Sequence, residues 1–388
     1  MEQQLVARMR EFGTTIFAEM SALAVRTGAV NLGQGFPDTD GPAEMLDAAV
    51  AALRGGRNQY APGPGIPELR AAIAEHQRDW YGLEYDPDRE VLVTAGATEA
   101  IAATILALCE AGDEVLCFEP YYDSYAASIA LAGAVRRPLT LRAEDFAGDV
   151  SGAIDALSAR VGPRARLLLL NSPHNPTGKV FSRAELKAVA RLCITHDLVA
   201  VTDEVYEHLV FDGEHIPLAT LPGMRERTVT ISSAGKTFNC TGWKIGWVCS
   251  TPELVDAVTK VKQFLTFTNA APLQPAVAVA LRLPRTYFTS LAADLRAKRD
   301  TLCTGLAEAG FDVHRPAGTY FVTAGIEAFG TDDGLAFARS LPERCGVVAV
   351  PVQVFYDDPG AGRSLVRFAF CKRDEVLAEA VKRLHDLR

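Results

Sequence analysis

Leu198-Val199-Ala200-Val201-Thr202-Asp203-Glu204-Val205-Tyr206 is the stretch whose reading decides the fold. Its unbroken apolar start suits a strand buried on both faces. A helical pattern over Ser182 to His196 comes just before it. Similar apolar runs recur at Val91-Leu92-Val93, Glu114-Val115-Leu116-Cys117-Phe118, Leu167 to Leu170, Thr228-Val229-Thr230-Ile231 and Ile245-Gly246-Trp247-Val248. Helical periodicity fills the gaps between them. The pattern predicts an α/β chain with a largely parallel sheet covered on both sides by helices. Ligands in such sheets bind beyond the carboxyl ends of the strands. After Pro284 the texture changes. A long amphipathic stretch, Tyr287 to Ala309, leads to short strand-like pieces at Tyr320-Phe321-Val322, Val347 to Val350 and Leu365 to Phe368, then a closing helix from Arg373 to Leu387. That predicts a smaller α+β domain sharing its core with the N-terminal segment. No repeat or low-complexity tract interrupts either part.

The residues with chemical potential follow the strands. Asp203 ends the quoted one, and a carboxylate there is costly unless it meets a cation or hydrogen-bond donors. Asn175 lies in Asn171-Ser172-Pro173-His174-Asn175-Pro176-Thr177-Gly178, a turn stiffened by two prolines. Gly96-Ala97-Thr98 joins a strand to a helix read from Glu99 to Glu110, whose free N–H groups suit an anion. Lys236 stands in Ser232-Ser233-Ala234-Gly235-Lys236-Thr237, with Lys244 eight positions on. Burial would disfavour its ammonium form and leave an amine able to attack a carbonyl. Taken singly, each has an ordinary explanation: helix caps for Thr98 and Asp203, an Asn-Pro turn, a surface lysine beside glycine. Gly63-Pro64-Gly65 is no dinucleotide fingerprint, because no strand precedes it and the third glycine is missing.

Composition narrows the field. The 388 residues are 48% hydrophobic and carry a net charge of -9. That length suits a two-domain enzyme, and the acidic balance argues against a nucleic-acid partner. No apolar run is long enough to span a bilayer, and Met1 to Arg10 has no apolar core of a secretory signal. Eight cysteines without C-x-x-C spacing read as reduced core residues, which places the chain in the cytoplasm. The seven histidines show no H-E-x-x-H pattern, so no metal is expected.

Order and number make these weak signals specific together. With Asn31-Leu32-Gly33-Gln34-Gly35-Phe36-Pro37-Asp38 at one end and Val366-Arg367-Phe368 at the other, the chain resembles a class I/II aminotransferase of PLP fold type I over nearly its full length. It is most similar to the N-succinyldiaminopimelate and kynurenine/glutamine/methionine aminotransferase branch. The resemblance implies a mostly parallel seven-stranded-type sheet between helices in a large cofactor-binding domain, residues 44–280. Residues 1–43 and 281–388 would form the small domain.

It also implies pyridoxal 5'-phosphate as cofactor and a role for each matched residue. Lys236 would form the Schiff base and move the proton, Asp203 would pair with the pyridine nitrogen, and Asn175 and Tyr206 would donate to the ring 3-oxygen. Tyr122 would stack on the ring. Ala97, Thr98, Ser233 and Lys244 would hold the phosphate, and Tyr60 would reach the phosphate of the neighbouring subunit in a homodimer. Arg367 would bind the substrate α-carboxylate through two parallel hydrogen bonds; alone, it reads as a strand-end surface arginine. Gly35, Asn175 and Phe17 would complete the substrate site.

Two departures stand out. Lys244 replaces the arginine of many relatives, and the segment near Asn269 offers smaller, more polar groups than a fully aromatic pocket. The latter leans toward N-succinyl-L,L-diaminopimelate with glutamate, in a ping-pong exchange. Methionine, glutamine or kynurenine transamination, with β-elimination from cysteine conjugates, is the alternative. A PLP-sensing regulator is a third reading, disfavoured because every catalytic position is kept and residues 1–30 are too few for a DNA-binding module.

Overall fold

The computed structural model describes residues 6–387. The start of the segment read for a secretory signal, and the outermost residues of the expected small domain, lie outside them. Thirteen strands are present among the described residues: β1 Val30–Asn31, β2 Val91–Thr94, β3 Glu114–Glu119, β4 Val135–Thr140, β5 Ala165–Asn171, β6 Val199–Asp203, β7 Thr228–Ser233, β8 Gly246–Cys249, β9 Asp312–His314, β10 Phe321–Gly325, β11 Val347–Val348, β12 Val350–Pro351 and β13 Leu365–Ala369. Seven form one sheet in the order β2-β8-β7-β6-β5-β3-β4. All its pairings are parallel except those of β8, which runs antiparallel to β2 and β7.

The unbroken apolar runs have their explanation here. Alternate residues of one strand feed two cores. Leu167, Leu169 and Val201 pack with Ile101, Ala103 and Ile105 of the helix Gly96–Leu108. Leu168, Leu170 and Ala200 pack on the other face with Leu186, Val189 and Leu192 of the helix Arg183–Thr195. With both faces covered, period-two polarity has no place in the strands.

The helix Arg183–Thr195 begins where its sequence dictates. Ser182 accepts a hydrogen bond from the Glu185 N–H, and the Glu185 carboxylate accepts one from the Ser182 N–H. The same carboxylate pairs with the buried Lys179 ammonium at 2.8 Å. Glu185→Ala removes one of the two capping bonds and leaves that cation without its counter-charge. Unfolding by urea should show a loss of roughly 3–5 kcal/mol.

A second sheet, β12-β13-β10-β9, is antiparallel. The expected strand over Val347 to Val350 is split. Val347–Val348 pairs with β1, whereas Val350–Pro351 pairs with β13. The chain therefore changes sheets at Ala349, which ties the N-terminal segment to the C-terminal sheet. Met20, Ala24 and Leu32 accordingly share a core with Leu302, Val348 and Phe368. No described helix is long and apolar enough to cross a membrane.

Candidate active site

The register of the large sheet assembles the site. Asn171 at the end of β5 lies beside Asp203 at the end of β6, and Ser233 ends the next strand. These carboxyl ends open onto a cavity of about 940 Å³. Its lining includes Phe17, Gly35, Ala97, Thr98, Tyr122, Asn175, Asp203, Tyr206, Ser233, Lys236, Lys244 and Arg367. Every expected site residue but one is thus brought together. Tyr60 is the exception: it is 82% exposed, lies outside its own chain's cavity and makes an edge contact with Phe267.

Asp203 caps no helix, since it is the last strand residue and a turn follows. It is 5% exposed. Its carboxylate accepts from the Tyr125 hydroxyl and the Val205 N–H, both neutral donors. Burial raises its pKa, while those two bonds and the nearby Lys236 act in the opposite direction. A buried carboxylate held by neutral donors suits a cationic ring nitrogen.

Lys236 sits in the one-turn helix Ala234–Thr237 and faces the cavity, so the surface reading of this lysine does not hold. Burial brings its pKa down to about 8; Arg367 and Lys244 add to the fall, and Cys371 and Asp203 oppose it. The ammonium nitrogen lies 5.7 Å from the Tyr206 ring and 5.6 Å from that of Tyr320. Burial pushes the Tyr206 phenol up, with the Asp203 charge adding to it, so this hydroxyl stays protonated and can donate.

The helix Gly96–Leu108 starts earlier than its sequence suggested. Ala95 is the N-cap, and Thr98 falls within the first turn rather than capping it. Gly96 has φ +79°, a left-handed conformation that glycine adopts freely, and it opens a helix whose first residues, Gly96, Ala97 and Thr98, line the cavity. A Cβ on Gly96 would stand 3.3 Å from the Lys244 ammonium. A Cβ on Gly246 would strike the Gly96 carbonyl carbon at 2.6 Å and the Ala97 nitrogen at 2.7 Å. Strand β8 therefore presses against the helix start, with a cation beside free amides. That donor set fits a phosphate.

Arg367, on β13, is 1% exposed. Its Nη1 donates to Asn175 Oδ1 (2.9 Å) and its Nη2 to the Gly33 carbonyl (3.1 Å). Its Nε has no partner among the described residues. Burial lowers its pKa to about 10, so the guanidinium remains charged at neutral pH. Phe321, Phe17 and Phe355 surround it, with the guanidinium carbon 3.9, 5.3 and 5.4 Å from their centroids. A buried cation with an idle donor, open to a cavity, suits a carboxylate. Gly35 contributes its carbonyl, which accepts from the Tyr320 hydroxyl.

Several supporting residues escaped the sequence reading. Tyr125 holds Asp203. Asn171 donates to the Asp203 carbonyl and accepts from the Asn175 N–H, fixing both turns. Tyr125 lies one helical turn beyond Tyr122, a spacing that could have revealed it. Asn269 proves to be tied to the Thr94 and Lys244 carbonyls (both 3.1 Å) and does not line this chain's cavity.

Close to this site, His76, Glu207 and His208 bring ligand-type atoms within 4.8 Å of one another. The two imidazole Nε2 atoms are 2.8 Å apart, and Glu207 accepts from Tyr81 and Ser232. Burial keeps both rings neutral, His208 down to about 3. One imidazole donates to the other, and the His76 Nδ1 is left without a partner among the described residues.

A profile of the aminotransferase class I and II family matches residues 27–384. The chain is 54% identical to a probable N-succinyldiaminopimelate aminotransferase of Mycobacterium tuberculosis, over 98% of this chain and 97% of the other. It is 40% identical to the methionine aminotransferase of Escherichia coli, over 98% of each. The solved structure of N-succinyldiaminopimelate aminotransferase from Mycobacterium tuberculosis superposes with a TM-score of 0.95, covering 99% of this chain and 100% of that one.

Proposed function

The chain belongs to the class I and II aminotransferases, pyridoxal-phosphate-dependent enzymes that act on amino acids and 2-oxo acids, and on that premise we propose that it moves an amino group between glutamate and N-succinyl-L,L-diaminopimelate. The observation that carries this reading is the 54% identity, along almost the whole chain, to a relative so named. The cavity supports it, since about 940 Å³ leaves space for a long side chain beside the cofactor. A steady-state panel of amino donors against 2-oxoglutarate tests it. The succinylated diamino acid should give the highest kcat/KM; inertness of that compound beside brisk methionine turnover would refute the substrate. Methionine is the second reading, favoured by the apolar walls of Phe17, Phe321 and Phe355.

When bound, the cofactor supplies an aldehyde that takes up the amino group and a ring that accepts the electron pair released at the substrate Cα. The Ala97 and Thr98 amides, Ser233 and Lys244 would hold its phosphate, and Tyr122 would cover its ring. Asp203 would keep the ring nitrogen protonated. Asn175 already gives its Oδ1 to Arg367, which leaves its Nδ2 and the Tyr206 hydroxyl for the ring oxygen. Arg367 would grip the substrate α-carboxylate and so fix the Cα–H bond. The Lys236 amine, mostly neutral above about pH 8, would hold the aldehyde group at rest and, once displaced, take the Cα proton. In the same half of the exchange it would give that proton up again on the cofactor side, and in the second half it would carry a proton back to Cα. Positioned proton transfer of this kind contributes roughly 10²–10⁴-fold.

Tyr60, Phe264 and Phe267 make an exposed aromatic surface, 82%, 85% and 53% accessible. A second copy of the chain would cover it, with Tyr60 reaching the partner's phosphate site. Tyr60→Ala should then weaken cofactor retention by about tenfold, read by dialysis and absorbance; unchanged retention would exclude that role.

A further inference from the structure

The cavity holds a cation that the reaction as described does not use. Four cationic side chains line it among the described residues: Lys236, Lys244, Arg367 and Arg339. The first three are engaged with cofactor and α-carboxylate in the proposed function. Arg339 is different in place and in pairing. It stands on the helix Gly334–Cys345, and its side chain is 51% accessible. It is thus the outer arginine of a cavity whose inner arginine, Arg367, is buried.

One edge of the Arg339 guanidinium is taken. Nε donates to Glu19 Oε1 (2.7 Å) and Nη2 to Glu19 Oε2 (3.1 Å), a side-on fork anchored on the helix Ile16–Thr27. Nη1 has no hydrogen bond to any described residue, so the end-on edge, Nη1 with Nη2, stays open to a second carboxylate. Glu19 thereby restrains a flexible side chain in one orientation. Of the other acidic side chains lining the cavity, Glu11 is matched by Arg136 at 3.3 Å, Asp203 is held by Tyr125 and Val205, and Asp123 is half-buried, with its pKa raised by that burial. Phe17, two positions before Glu19, and Phe355 line the same cavity, stacked with centroids 5.8 Å apart and both beside the Arg367 guanidinium. An inner arginine, apolar walls and an outer arginine match an amino acid that carries an acid at both ends.

We propose that Arg339 is the specificity-determining residue for a distal carboxylate of the amino donor, with Glu19 as the residue that positions it. The inference rests on the functional reading above and sharpens it, because the succinylated diamino acid has its further carboxylates at the end remote from the reacting amine. Donors ending in a methyl or an amine gain nothing from this group, and an ammonium end would be repelled.

Two donors of matched length test the assignment, L-2-aminopimelate with a terminal carboxylate and L-2-aminooctanoate without one. The ratio of their kcat/KM values measures what the distal acid contributes. Arg339→Gln should lower that ratio by about 10- to 100-fold, the range one charge-assisted hydrogen-bonded contact supplies, with the loss in KM of the acidic donor. Arg339→Lys should keep part of the preference. An unchanged ratio, or an equal loss on both donors, overturns the proposal. The succinylated compound is assayed alongside with the unsubstituted enzyme. If it is inert, the substrate reading falls, while the paired-donor ratio still decides the role of Arg339.

Discussion

Lys236→Ala should fold, retain cofactor only reversibly, and turn over amino donors more than about 10⁴-fold more slowly. The size follows from what a single nitrogen does. Its removal abolishes covalent attachment and deletes the base that moves the Cα proton, and the second loss alone reaches about 10⁴. Folding should survive because Lys236 makes no ion pair with any described residue and sits in a one-turn helix facing the cavity. The pH dependence has a defined sign. Burial lowers the Lys236 pKa from 10.5 to about 8 in the protein without cofactor. Cofactor uptake by that form should accelerate as pH rises toward about 8 and level off above it. Stopped-flow absorbance across pH 6 to 10 would show this, and a rate climbing without inflection to the ordinary lysine range would contradict it.

Asp203→Asn ranks next. The carboxylate and a protonated ring nitrogen would form a buried pair, and removing one partner of such a pair costs roughly 3–5 kcal/mol. On the barrier that is a factor of about 10²–10⁴ in kcat. Asparagine keeps the shape: its one carbonyl oxygen can accept from the Val205 N–H while its amide N–H donates to the Tyr125 hydroxyl oxygen, the reverse of the present bond. The loss should therefore fall on turnover and on the cofactor's absorption spectrum rather than on the melting temperature. Full kcat in this variant would remove the carboxylate from the chemistry.

Much of this was legible because the chemistry sits where strands end. The apolar run before Asp203 announced a strand buried on both faces, and the register of β5, β6 and β7 then brought Asn171, Asp203 and Ser233 side by side. Lys236 was visible because small and apolar neighbours surround it. What stayed hidden depends on packing between distant segments. The helical spacing from Tyr122 hints that Tyr125 faces the site but not that it holds Asp203, and nothing in the sequence joins Glu19 to Arg339 across 320 positions. Thr98 resembled a cap because the sequence does not reveal that Gly96 adopts positive φ and admits an earlier helix start. The break at Ala349 was equally silent, since a run of valines pairs with any neighbour, and only two competing sheets divide it. The bonds of the Asn269 amide to the Thr94 and Lys244 carbonyls were hidden for the same reason.

The most direct measurement is reduction of the cofactor-loaded enzyme with borohydride, followed by digestion and mass mapping. A phosphopyridoxyl group on the peptide carrying Ser232-Ser233-Ala234-Gly235-Lys236, at Lys236 itself, is the result that the cavity-facing amine with its lowered pKa requires. A label on Lys244, on any other lysine, or on none would contradict the account.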